Sequence, residues 1–139
     1  MLFVMDPIES EDVAGSTSLV FMLEAQARGH EVLFCEPCDL EVIDGRAAAR
    51  VTPVTLRKQA GDHVTRGAAR HVLLDDEVDV AFQRKDPPVD AAYVISTQIL
   101  GTCRRTIVLN DPRHILAFNE KLFALHFPDL MAETTVTRD

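Results

Sequence analysis

Short apolar runs alternate with longer mixed stretches along the chain, and this alternation predicts a succession of elements. Met1–Met5 (MLFVM) is apolar throughout and reads as a short buried strand ended by Asp6. Asp6–Gly15 is polar and acidic, with Pro7 and Gly15 as turn punctuation. Ser16, Thr17 or Ser18 then offers a hydroxyl to the unpaired first-turn amides of a helix over Leu19–Arg28. Leu19, Met22 and Leu23 share one face of that helix, and Gly29 supplies its stop. His30–Glu36 (HEVLFCE) reads as a second strand. Strand, helix and strand at this spacing form a βαβ crossover, which requires a parallel pair.

Leu40–Ile43 and Arg46–Leu56 flank Asp44-Gly45, a hairpin signal, and the hairpin is expected at the edge of the sheet. Arg57–Asp76 is polar, rich in Gly, Ala and His, and weakly periodic, which predicts a mobile loop or an irregular helix. Val78–Gln83 is a further strand, and Pro87-Pro88 prevent its continuation. Val89–Leu100 reads as a helix and Arg105–Leu109 as a strand. Asn110-Asp111-Pro112 starts another helix, with a capping side chain before proline at the first helical position. Ile115–Phe127 reads as helical with a bend near Asn119, and Pro128–Asp139 as a polar, Thr-rich linker or the first strand of a further unit. This order predicts an α/β fold: a three-layer α/β/α sandwich with a mostly parallel sheet and an inserted β-hairpin.

Composition narrows the function classes. A chain of 139 residues, 47% hydrophobic and 26% charged, suits one soluble domain with a proper core. No apolar run reaches the roughly 18–20 residues of a membrane span, and the apolar start is too short for a signal peptide. A cytoplasmic protein without membrane contact is therefore expected. The formal net charge of −8, with no Trp and one Tyr, argues against a nucleic-acid partner. It leaves room for a local basic cluster that takes a small anion. Cys35, Cys38 and Cys103 are an odd count without an export signal, as expected of reduced thiols.

Candidate chemistry concentrates at Arg84-Lys85-Asp86-Pro87-Pro88, just past the end of a predicted parallel strand, where open α/β sheets bind ligands. Arg84 offers a fork for a carboxylate and Lys85 a compact charge, so the segment suits a small zwitterion. A solvated turn whose charges pair with one another is the competing reading. Asp6, at the corresponding end of the first strand, either receives a substrate ammonium, orients Arg84, or simply starts a turn. Ser16-Thr17-Ser18 hold an anion at the helix N-terminus or, more simply, cap it. Cys35-Glu36-Pro37-Cys38 is a C-x-x-C, but the segment after it reads as a strand, so it lacks the helix N-terminus that activates a redox thiol. A zinc site would need two more ligands. Lys121, in Asn119-Glu120-Lys121, either reaches a phosphate or lies on an exposed helix face.

FVMDPI (Phe3–Ile8), MLEAQARGHEV (Met22–Val32), DLEVIDGRA (Asp39–Ala47), RKDPP, FNEKLFALHFPDL and TVTRD together resemble the prokaryotic glutathione synthetases of the ATP-grasp superfamily, in order and in spacing. The resemblance covers nearly the whole chain apart from Arg57–Asp76. It implies a pre-ATP-grasp substrate domain over residues 1–118 and the start of a junction to an ATP-grasp domain over 119–139. It implies a ligase that joins γ-glutamylcysteine to glycine with ATP and Mg²⁺ through an acyl phosphate. Asp6, Ser16, Thr17, Arg84, Lys85 and Asp86 would then face the peptide substrate, and Lys121 would approach the nucleotide phosphates. A homo-oligomer is expected. The adenine pocket, the Mg²⁺ carboxylates and the lid would come from chain beyond Asp139, so these residues alone are expected to be inactive and to hold neither ATP nor Mg²⁺. The other reading is a stand-alone, non-catalytic module that binds a γ-glutamyl peptide or an oligomeric partner. Ser16 stands where the family has Asp, Ala14 and Gly15 where it has lysines, and Ile95 and Gln98 where it has aromatics, while Thr97 is kept. Cys35 and Cys38 occupy positions that are not cysteine in the family pattern.

Overall fold

The computed structural model describes residues 1–119 and 121–137; Glu120, Arg138 and Asp139, which belong to the NEKLF and TVTRD segments, lie outside the described residues. In chain order the elements are β1 (Leu2–Val4), α1 (Thr17–Ala27), β2 (Leu33–Cys35), β3 (Leu40–Ile43), β4 (Arg46–Leu56), β5 (Val64–Arg66), β6 (Arg70–Leu73), α2 (Leu74–Glu77), β7 (Val80–Gln83), α3 (Ala91–Leu100), β8 (Ile107–Leu109) and α4 (Pro112–Ala117). The fold is α/β, as the sequence order predicts.

Four strands in the order β2-β1-β7-β8 form the parallel part of the sheet, with β8 at its edge. Residue alternation divides their side chains between two cores, as the pleat requires. Phe3, Met5 and Phe34 pack with Leu19, Met22 and Ala25 of α1 on one face. Leu2, Val4, Leu33, Cys35 and Ala81 pack with Leu74 of α2 and Leu100 of α3 on the other. Phe3, Phe34, Leu2, Leu33 and Leu100 are each at most 2% exposed, and full burial of such a side chain is worth about 1.5–3 kcal/mol. The register sets Phe34, Phe3 and Phe82 side by side across β2, β1 and β7. The Phe3 and Phe82 rings stack with centroids 4.9 Å apart.

The Asp44-Gly45 hairpin forms as expected: φ is +50° at Asp44 and +76° at Gly45, the left-handed pair that a two-residue turn between twisted strands needs. Beyond it, β4 pairs antiparallel with β3 over Arg46–Ala49 and with β2 at Thr52 and Pro53. It also pairs with β6 over Ala48–Val51 and with β5 over Val54–Leu56. Arg57–Asp76 is therefore only in part a loop, at 57–63 and 67–69, and is not an irregular helix. It supplies β5, β6 and the first residues of α2, and its polar composition follows from the exposed connections at 57–62 and 67–69 and the exposed Thr65, Arg66 and His71 of the two strands.

The segment after β8 also differs from expectation. Asp111 caps α4 by accepting the Arg113 N–H at 2.9 Å, with Pro112 at the first position, but the helix ends at Ala117. The Asn119 side-chain oxygen accepts the backbone N–H groups of Lys121 (2.9 Å) and Leu122 (3.0 Å), a local turn that competes with helix continuation. Only single 3-10 turns follow, at Phe123–His126 and Pro128–Leu130. The C-x-x-C is a packing feature. Cys35 is buried in β2, and burial pushes its thiol far above the ordinary range, while Cys38 is exposed in a 3-10 turn over Pro37–Asp39. That turn, rather than a strand, directly follows Cys35-Glu36.

Candidate functional site

The carboxyl ends of β1 and β7 lie side by side because these strands pair in register, Val4 with Gln83. The Arg84 N–H donates to the Val4 carbonyl at 2.7 Å and the Met5 N–H to the Cys35 carbonyl at 3.1 Å, so the ladders carry one residue beyond the strands. Asp6 and Lys85 leave the sheet next to each other, and the Lys85 ammonium sits 3.1 Å from Asp6 Oδ1. The Asp86 N–H donates to Asp6 Oδ2 at 3.1 Å, and Lys85 also donates to the Asp86 carbonyl. Both Asp6 oxygens are thus engaged by the RKDPP segment. Asp6 orients Lys85 and the turn at Asp86. Among the described residues it makes no hydrogen bond or ion pair with Arg84, so the expected orientation of Arg84 by Asp6 is not seen.

Arg84 is held instead by Ser18, a buried residue in the first turn of α1: its Nε donates to Ser18 Oγ at 3.0 Å. Through Nε the guanidinium is anchored edge-on. Its two terminal nitrogens, Nη1 and Nη2, make no hydrogen bond among the described residues. A half-buried arginine fixed in this way presents the forked pair of donors that matches a carboxylate. Ser16 is the N-cap of α1, its Oγ accepting the Leu19 N–H at 3.2 Å, and Thr17 is the exposed first helical residue. The N-terminus of α1 thereby stands beside the Arg84 anchor.

Behind the cluster, Gln83 donates to Thr97 Oγ1 at 2.6 Å, and Thr97 donates to the Tyr93 carbonyl at 2.7 Å, which ties the end of β7 to α3. Gln83 Oε1 is buried without a partner among the described residues. Asp86, Pro87, Pro88 and Val89 are exposed, so the cluster forms an open wall. Lys121 lies in the turn after α4, its backbone bonded to Asn119 as described above. The structure thus brings Asp6, Ser16, Thr17, Arg84, Lys85 and Asp86 into the region where β1, β7 and α1 meet. The sequence marks Ser18 as a possible cap or part of an anion-holding helix start, and not as a partner of Arg84. Its role as the Arg84 anchor depends on a contact across 66 residues that no local pattern signals.

The chain is an α/β domain whose charged loop cluster lies at the carboxyl ends of adjacent parallel strands, the place where open α/β sheets generally take small ligands. Residues 1–115 match the family described as prokaryotic glutathione synthetase, N-terminal domain, and the chain belongs to that family. The glutathione synthetase of Xanthomonas campestris pv. campestris is 40% identical over 141 residues, spanning 100% of this chain and 44% of the relative. That of Gloeobacter violaceus is 43% identical over 98% of the chain and 44% of its own length. That of Brucella melitensis is 40% identical over 97% of the chain and 43% of its own length. The chain thus spans less than half the length of the curated relatives it matches.

Proposed function

We propose that this domain forms the peptide-substrate wall of a carboxylate–amine ligase that joins γ-glutamylcysteine to glycine with ATP. The observation that carries this reading is the Arg84 guanidinium, anchored through Nε by Ser18 with its terminal fork open. It would take a carboxylate of γ-glutamylcysteine, while the Asp6–Lys85–Asp86 network holds the loop beside it and sets the local charge. Family membership and the names of the relatives support the choice of substrate. Within this reading residues 1–118 are the substrate domain, 119–139 begin a junction, and Lys121 approaches the nucleotide phosphates from there. Among the described residues no three His, Cys, Asp or Glu side chains cluster so as to hold a metal ion, and we assign no step of the chain's residues to Mg²⁺. When bound, Mg²⁺ would neutralise the phosphates of ATP during carboxylate activation. These 139 residues alone bind the peptide without ligating it. The protein acts in the cytoplasm, where free thiols such as its three cysteines stay reduced. It also self-associates, for which the exposed apolar side chains of β8 are the support.

Calorimetry with γ-glutamylcysteine tests the reading. Arg84→Ala is expected to weaken binding by about tenfold to a hundredfold, the usual worth of a hydrogen-bonded charge. Arg84→Lys, which keeps the charge but loses the fork, should recover only part of it. No heat from the unaltered chain at millimolar peptide overturns the assignment.

A further inference from the structure

The segment between Asp6 and the first turn of α1 has no long element of its own, yet it must hold Asp6 against Lys85 and the Asp86 N–H. Its inner anchors are Met5 and Ile8, both fully buried. A single turn over Ile8–Ser10 follows Pro7, in which the Ser10 N–H and Oγ both donate to the Pro7 carbonyl and the Glu11 N–H donates to the Ile8 carbonyl at 3.3 Å. The outer anchors come from β5 and the residue before it, more than fifty positions away. His63 is buried, and its Nε2 lies 2.7 Å from the Ile8 carbonyl. A carbonyl only accepts, so Nε2 carries the proton and donates. Arg66 grips Glu9 with two parallel bonds, Nε to Oε1 at 2.6 Å and Nη2 to Oε2 at 2.8 Å. Arg66 is itself fixed over the Phe34 ring, 4.7 Å from its centroid, on the β2 strand of the core. The tip that carries His63 is stiffened in turn by Arg57, which donates to the Asp62 carbonyl, the Asp62 carboxylate and Thr65 Oγ1.

We propose that His63 and Arg66 are positioning residues for the substrate cluster: as an external clamp on Ile8 and Glu9 they fix the loop whose first residue, Asp6, orients Lys85 and the Asp86 turn. This rests on the reading of that cluster as the peptide site. Neither clamp residue touches the cluster. Each acts through one backbone or side-chain group, two or three residues downstream of Asp6. The clamp gives the β4–β5 excursion a role at the site that the residue pattern of Arg57–Asp76 does not suggest.

The test uses the Asp86 N–H, which reports Asp6 placement because it donates to Asp6 Oδ2 while making no contact with His63 or Arg66. Its exchange with solvent is measured by NMR in the free chain. His63→Leu removes the donor to Ile8, His63→Gln keeps a donor, and Glu9→Ala releases the loop while leaving Arg66 on Phe34. His63→Leu and Glu9→Ala should each speed Asp86 exchange by about threefold to tenfold, the range of one lost hydrogen bond. The affinity for γ-glutamylcysteine should fall in parallel. His63→Gln should stay close to the unaltered chain. If only the Ile8–Asp12 amides speed up, or if none does, the clamp has no hold on the site and the proposal fails. Should His63→Leu not fold, Glu9→Ala, a surface change, decides alone. If the unaltered chain binds no peptide, the substrate reading falls, and the positioning claim still stands or falls on Asp86.

Discussion

At the scale of single residues, buried geometry decides what an ordinary side chain does. Asp75 is one of three successive acids in Asp75-Asp76-Glu77, and nothing in that run distinguishes it. In the structure its carboxylate accepts the backbone N–H groups of Arg104, Arg105 and Thr106 at 2.9–3.0 Å, and so fixes the entry to β8. Partial burial alone would raise its pKa, but the bonds from Thr106, Arg105 and Arg104 outweigh that and hold it at about 2. A carboxylate depressed from 3.8 adds stability that is fully present above that value and disappears as pH falls through about 2. Asp75→Ala should cost about 1–2 kcal/mol at neutral pH, similar to loss of a helix cap. Urea midpoints should show the gap to the unaltered chain closing as pH drops from about 4 to about 2. A gap that stays constant over that range would remove the carboxylate from the account. The candidate site was legible at this scale only in part. Arg84, Lys85 and Asp6 stood out by their place at strand ends. Ser18, His63 and Arg66 did not, because each acts across a long sequence separation on a partner that only the fold supplies.

At the scale of elements, what was legible followed periodicity and capping. The crossover from β1 through α1 to β2, the strand β7, the helix α3 and the Asp111-Pro112 start of α4 all form near where the sequence places them, and Asp90, not marked as a cap by the sequence, caps α3. Ends shifted inward, as at β2, which pairs only over Leu33–Cys35. The β5–β6 region was not legible, since short strands whose outer faces are solvated show neither a helical nor a clean twofold pattern. The false extension of α4 had a different cause: apolar residues from Ile115 to Phe127 mimic a helix, while Asn119 diverts the backbone amides to its own side chain. The hairpin offers the sharpest check on turn chemistry. Gly45→Ala places a side chain at φ +76° with no steric neighbour within 4 Å, so the penalty is conformational alone. It should lower stability by about 1 kcal/mol in chemical denaturation, with the folded structure otherwise intact. An unchanged midpoint would mean that the turn relaxes to another type.

At the scale of the whole molecule, the two faces of the central sheet are unequally covered. Val108 of β8 packs into the core shared with α2 and α3, while Ile107 and Leu109 point the other way and are 60% and 41% exposed. Register places Leu109 beside Phe82, so the aromatic row across the sheet runs out into solvent beyond β7. Phe21 of α1 borders the same area and is 45% exposed. Exposed apolar side chains gathered in this way suit a protein contact. In the proposed self-association it faces a second copy, and sedimentation velocity over a range of concentrations should show mass action, weakened by Ile107→Asp. A chain that stays monomeric throughout would sink that part of the proposal. The long strand β4 bears differently on how this domain tolerates change. It holds β3, β2, β6 and β5 in register at once, so one residue gained or lost in its middle would shift several ladders together and exchange the faces its side chains pack on. The exposed turn at 58–61 sits on no ladder, and its length is limited only by the Arg57–Asp62 bonds that hold the His63 tip. Along this chain, then, room for insertion and deletion is set by how many strands a residue keeps in step, more than by how deeply it is buried.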